Sequence, residues 1–130
     1  MDGMRELAGI RRVAEHFGLP ASTLHYWERR GLITPHRRVA GRYYDTEQLY
    51  RIALIKKWRE TGLLGIEEIA TLLTGAPGRS ALIGERMRVI EQRIAELERA
   101  RGYLAELRGC PCESGLERCP AFRESTEIPA

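Results

Sequence analysis

The strongest constraint on this chain lies between about Ser80 and Leu107. There Ile83, Met87, Ile90, Ile94, Leu97 and Leu104 step by alternating fours and threes, with Arg101 out of pattern. Such spacing predicts a long helix with a narrow apolar stripe, the seam of a coiled coil. The whole chain has 130 residues, so what precedes the helix is one small domain with too little surface to cover a stripe of that length. A second copy of the chain is the economical partner, and a homodimer joined through these six residues is expected; the alternative is a helix folded back on its own N-terminal domain. A large catalytic barrel is excluded by length alone.

Ahead of the seam the pattern is of short elements. Ile10, Val13, Ala14 and Phe17 recur at helical spacing and Gly18 stops them; Pro20 then opens a second helix through Thr23, Leu24, Trp27 and Glu28 that ends near Gly31. Two short helices joined by a turn containing glycine read as helix-turn-helix. Between Leu32 and Asp45 helical periodicity is absent, and Thr34-Pro35, Arg37, Arg38, Gly41, Arg42 and the Tyr43-Tyr44 pair predict a turn and a short β-ribbon, a candidate wing. Asp45 and Gln48 have capping-box spacing at the start of a third helix running to about Glu60, Ile66 to Leu73 predicts a fourth, and Thr74 to Gly78 breaks the chain. The expected organisation is a winged helix-turn-helix domain over 8–75, a dimerisation helix over 79–108, and a cysteine-containing segment over 109–130, turn-rich enough that order is expected only around its cysteines.

Charge is unevenly distributed. The net charge of +3 divides into +5 for residues 1–60 and −2 for residues 61–130. A basic first half and a near-neutral second half suit nucleic-acid binding in one and assembly or regulation in the other. In the second helix Ser22, Thr23, His25 and Tyr26 occupy the part that would reach base edges and phosphates, with Leu24 and Trp27 facing inward, although His25 and Tyr26 also suit half-buried packing. Arg37, Arg38 and Arg42 beside Tyr43 have little core to serve on a ribbon, and guanidinium groups there suit phosphate contacts. The expected partner is double-stranded promoter DNA. No run approaches the apolar length of a membrane span and the N-terminus is charged, so a cytoplasmic protein without membrane association is expected.

The run Ser22-Thr23-Leu24-His25-Tyr26-Trp27-Glu28-Arg29-Arg30-Gly31-Leu32-Ile33, followed by Pro35, the arginines of the wing, Tyr44 and Glu67-Glu68-Ile69, resembles the MerR family of transcription regulators over about residues 8 to 108. It departs from the family where His25 replaces the usual arginine, implying a weaker and pH-sensitive phosphate contact. It departs again where Ala40-Gly41-Arg42 replaces a longer Gly-Tyr-Arg wing. The resemblance implies a mainly α fold, a winged helix-turn-helix domain followed by a long helix forming an antiparallel coiled coil. It further implies a dimer on a pseudo-palindromic operator that distorts a promoter spacer for RNA polymerase once an effector is bound.

All three cysteines, Cys110, Cys112 and Cys119, lie in the C-terminal segment. An odd number so closely spaced argues against a disulfide framework and for thiolate chemistry in a reducing compartment. Soft thiolates on a short loop suit Cu(I), Hg(II), Zn(II) or Cd(II). The Cys110-Pro111 and Cys119-Pro120 pairs are similar to the paired cysteines of the family's soft-metal sensors, with Cys112 additional. Two thiolates would serve a monovalent ion, whereas Cys112 would complete a trigonal divalent site. The rival is a redox sensor of the same family, working through reactive thiols or through a [2Fe-2S] cluster, which in that branch takes four cysteines from the same loop, one more than this chain has. An enzyme is not expected, because the reactive cluster has no histidine near it in sequence and no pocket-forming domain around it.

Overall fold

A computed structural model describes residues 6–75, 77–111 and 115–130. The first elements are a two-residue strand β1 (Ala8–Gly9), helix α1 (Ile10–Phe17) and helix α2 (Ala21–Arg29). Both helices end the same way, for the same reason. Gly18 (φ 64°) and Gly31 (φ 74°) take the left-handed conformation that a side chain disfavours. Each reversal lets the following amide reach back, Leu19 N–H to the Ala14 carbonyl at 3.0 Å and Leu32 N–H to the Trp27 carbonyl at 2.9 Å. The chain leaves α2 with Leu32 and Ile33 already buried.

Next come β2 (His36–Arg38) and β3 (Gly41–Tyr44). They form an antiparallel ribbon in which Arg37 faces Arg42 and His36 faces Tyr43, turning through Val39 and Ala40. Strand β1 adds to the other edge of β3, with Ala8 opposite Tyr44 and Gly9 opposite Tyr43, giving the order β1-β3-β2. Strand β1 leaves no signature in the sequence, since two residues carry no alternation to detect.

Helix α3 (Thr46–Glu60) starts at Asp45, whose carboxylate accepts the Gln48 N–H at 2.9 Å. The expected capping box is met by half. The Gln48 side-chain oxygen accepts the Thr34 N–H at 2.8 Å instead, tying the approach to the wing onto α3. Helix α4 (Ile66–Leu73) follows, with the Glu68 carboxylate accepting the Gly65 N–H at 2.7 Å at its start. One core unites these elements: Val13, Leu24, Trp27, Leu32, Ile33, Tyr44, Ile52, Ile55, Leu64 and Ile69. Leu24 and Trp27 face inward as the sequence predicts.

Helix α5 (Arg79–Arg108) runs for 30 residues over the stretch where the apolar spacing predicts a long helix, and none of its described residues is buried. The chain divides into two compact units, residues up to Arg86 and residues from Met87 onward. In the second unit a 3-10 turn over Leu116–Arg118 leads into a short helix α6 (Pro120–Glu124). This corrects the expectation that order beyond Gly109 is confined to the cysteines. Pro120 stands in the first turn of α6, where its missing N–H costs nothing and its ring presets φ. The Arg123 side chain then donates to the Glu117 carbonyl at 2.9 Å, closing turn and helix on each other. Among the described residues no helix is long and apolar enough to cross a membrane.

Candidate nucleic-acid interface and cysteine segment

Helix α2 divides by face. Leu24 and Trp27 are buried, while Ser22 and Tyr26 are exposed and Thr23 and His25 are half-buried. The Arg29 guanidinium lies 5.8 Å from the Tyr26 ring centre, near enough for a cation–π contact. The polar set singled out in the sequence therefore stands on one helix whose opposite face enters the core.

The wing arginines are not equivalent. Both oxygens of the Glu28 carboxylate, near the end of α2, are taken by the wing: Arg42 Nε donates to Oε1 at 2.7 Å and the Arg37 guanidinium donates to Oε2. Arg37 and Arg42 are direct cross-strand neighbours, so Glu28 neutralises a juxtaposition that would otherwise repel. Burial pushes the Glu28 carboxyl up, but its hydrogen bonds to Arg42 and Arg37 and their positive charges outweigh that and hold it below its ordinary value. Arg38, next to the turn, is exposed and makes no ion pair among the described residues. Tyr43 is half-buried, its ring lying over Gly9, where an added Cβ would meet it at 3.5 Å.

Further contacts seat the wing on α3. His36 Nε2 lies 2.8 Å from Asp45 Oδ2, and Arg51 donates from Nε to the Leu32 carbonyl at 2.6 Å. Tyr44 fills the base of the ribbon, fully buried, and among the described residues its hydroxyl has no hydrogen-bond partner. Burial first, and the nearby Glu28 charge second, raise the Tyr44 phenol above its ordinary value, with Arg42 pulling the other way. Glu28, His36 and Arg51 were not assigned these roles from sequence. Their only sign there was charge within or beside a polar stretch, and partners nine to nineteen residues away leave no periodic trace.

In the second unit Cys110 follows α5 and is half-buried, and Cys119 is buried at the N-terminal boundary of α6. Cys112 lies outside the described residues. Among those described, no group of three or more His, Cys, Asp or Glu side chains is placed to hold a metal ion. The thiols of Cys110 and Cys119 are soft donors of the kind that suits a soft ion. A four-thiolate cluster exceeds the three cysteines of the chain.

The family model for MerR HTH family regulatory proteins matches residues 9–76, which is the stretch from α1 through the wing to the end of α4. The chain belongs to the MerR family. Among MerR-type relatives, the transcriptional regulator AdhR of Bacillus subtilis is 41% identical over 91 residues, covering 63% of this chain and 65% of AdhR. The chain thus spans about two thirds of that relative's length. The transcriptional regulator CueR of Escherichia coli O6:H1 is 30% identical over 120 residues, 85% of this chain and 88% of CueR. The solved structure of the transcription regulator PbrR691 from Ralstonia metallidurans in complex with lead(II) shares the fold, with a TM-score of 0.70 and 21% identity over 90% of this chain and 98% of that one. MerR proteins are regulators rather than enzymes, and the mainly helical architecture with a small wing sheet and a long helix is theirs.

Proposed function

We propose that this chain is a dimeric, effector-responsive MerR-type transcription regulator that binds promoter DNA, senses a soft metal ion through its C-terminal cysteines and activates by distorting its operator. The observation that carries the DNA reading is the Glu28 carboxylate joining α2 to both strands of the wing, because it makes one polar surface of two elements. On that surface Ser22, Thr23, His25 and Tyr26 address the groove, and Arg37, Arg38, Arg42 and Tyr43 address the flanking backbone. Ile83, Met87, Ile90, Ile94, Leu97 and Leu104 join two copies, and RNA polymerase is the partner at the distorted promoter, in the cytoplasm.

Cys110 and Cys119 hold the ion, with Cys112 added for a divalent one. A bound thiophilic ion would supply strong metal–thiolate bonds that favour one of two dimer states. An ion preferring one state by the cost of bending and untwisting a promoter site, about 1 to 6 kcal/mol, suffices to shift the dimer between them. The lead(II) bound by PbrR691 supports a soft-ion effector.

In vitro transcription with Cys110→Ser, Cys112→Ser and Cys119→Ser proteins, with and without Cu(I), Hg(II), Zn(II) or Cd(II), tests the reading. Cys110→Ser and Cys119→Ser should abolish the response and leave DNA binding by the metal-free protein intact. Survival of the response in Cys112→Ser selects a two-coordinate monovalent ion, and its loss selects a divalent one. A double Cys110→Ser, Cys119→Ser protein that responds fully would refute cysteine sensing.

A further inference from the structure

Glu28 has no use as a contact to DNA. A carboxylate repels phosphate, and here both oxygens are already taken by Arg37 and Arg42. Its side chain retains only 14% of its exposure, whereas that of Arg37 retains 69% and that of Arg42 34%. The carboxylate is thus the sheltered centre of the cluster and the guanidiniums are its outer parts. Each arginine comes from a different strand, and the two strands are paired at this very position. The ribbon's base is fixed independently, by Tyr44 in the core and by the contacts from His36 to Asp45 and from Gln48 to Thr34. Those anchors tie the ribbon's base to the core and to α3, and α1 also packs against β3, whereas the direct ion pairs from both strands of the ribbon to α2 run to Glu28. The Glu28 carboxylate is the described ion pair that spans those two elements.

We propose that Glu28 is a positioning residue for DNA recognition, a two-armed clamp that fixes the wing relative to α2 so that both meet one operator half-site together. This deepens, and rests on, the DNA-binding reading above. Arg38 is then the wing arginine whose whole guanidinium is available for a phosphate, while Arg37 and Arg42 set geometry and reach the backbone only through their outward N–H groups.

The clamp makes a prediction opposite in sign to simple electrostatics. Removing a negative charge from a DNA-facing surface should tighten binding to any duplex and steepen its salt dependence, since an additional uncompensated cation releases counterions. If Glu28 instead positions the wing, its loss lowers affinity for a preferred site while leaving or raising affinity for DNA at large.

The test uses the full-length protein and a duplex enriched by the wild type from a random-sequence pool, with a scrambled duplex of equal length and composition as reference. Glu28→Gln should weaken binding to the enriched duplex by about tenfold, the scale of a coupling within one ion-pair network, with the scrambled duplex bound equally or more tightly. In the DNA-free protein, amide exchange should quicken across residues 36–44 and stay unchanged across residues 46–60.

An unchanged ratio between the two duplexes, or unchanged exchange in the wing, overturns the proposal. Arg37→Gln, an exposed substitution that spares the core, keeps the test independent of whether Glu28→Gln folds. It should lower the same ratio, whereas equal loss on both duplexes would make Arg37 a plain phosphate contact and the clamp wrong. A wild type that enriches no duplex would remove the DNA reading itself, a different failure that is visible before any variant is made.

Discussion

Ile52 and Ile55 on α3 are completely buried, whereas Ile94 and Leu97, apolar side chains at similar helical spacing on α5, stay 49% and 53% exposed within one chain. The difference lies in what surrounds the helices. Helix α3 is short enough for α4 and the wing to cover its inner face, and the ten core residues of the first unit all lie between Val13 and Ile69. Helix α5 has more apolar length than one chain covers. The first unit is therefore covered by its own contacts, and in the proposed dimer the second is completed by another copy.

Ile94→Asp together with Leu97→Asp should have the largest effect, confined to the second unit. Two carboxylates on a coiled-coil seam face desolvation without partners, so the dimer should be lost altogether at micromolar concentration. Thermal unfolding of the first unit should barely move. Sedimentation equilibrium beside a melting curve checks both halves, and a dimer that survives would assign the interface to another face of the protein.

Ile52→Ala probes the other side of the contrast. A fully buried isoleucine cut to alanine should cost about 2 to 5 kcal/mol in the first unit. Chemical denaturation at several protein concentrations separates the two kinds of loss: the Ile52→Ala deficit should be independent of concentration, and the seam deficit should not.

The same contrast explains what was legible in the sequence. Periodicity reports a face, so α1 to α5 were readable from their apolar spacing, and Gly18 and Gly31 marked their stops because a left-handed turn has few other occupants. The contacts that give the wing its place were not readable. Gln48 sits at capping-box spacing from Asp45 yet bonds to Thr34 across fourteen residues, and Glu28 reaches Arg42 over the same separation. Helix α6 was hidden for a related reason: five residues with one proline look like a turn until Cys119 and Glu117 supply backbone partners. Of the candidate site, the residue types were legible, but not the division of labour among three arginines that the sequence makes look alike.

That division sets a smaller effect. Arg38→Ala should lower the salt dependence of DNA binding by about 0.9 in logarithmic slope, the loss of one phosphate contact, and weaken all duplexes alike. Arg42→Ala should change the slope less and the preference between duplexes more, because Arg42 is bonded to Glu28. Titrating both variants against salt checks this, and identical slopes would mean that the two arginines do the same work.

The smallest effect is a pH dependence, and its sign follows from the Glu28 carboxyl lying below its ordinary value of 4.5 in the folded chain. A group whose folded value is depressed binds fewer protons folded than unfolded. Its contribution to stability is complete above the ordinary value and disappears as pH falls through the folded one. Because the carboxylate is partly solvated and the two arginines belong to one unit, the contribution is small and confined to the acid side. The stability difference between wild type and Glu28→Gln should therefore be constant from neutral pH down to about 5 and should shrink below the ordinary value as wild-type Glu28 takes up its proton. Denaturation curves for both proteins across that range measure it. A difference that grew on acidification would mean that burial outweighs the arginines, with the carboxyl raised rather than lowered and the clamp held by something other than charge.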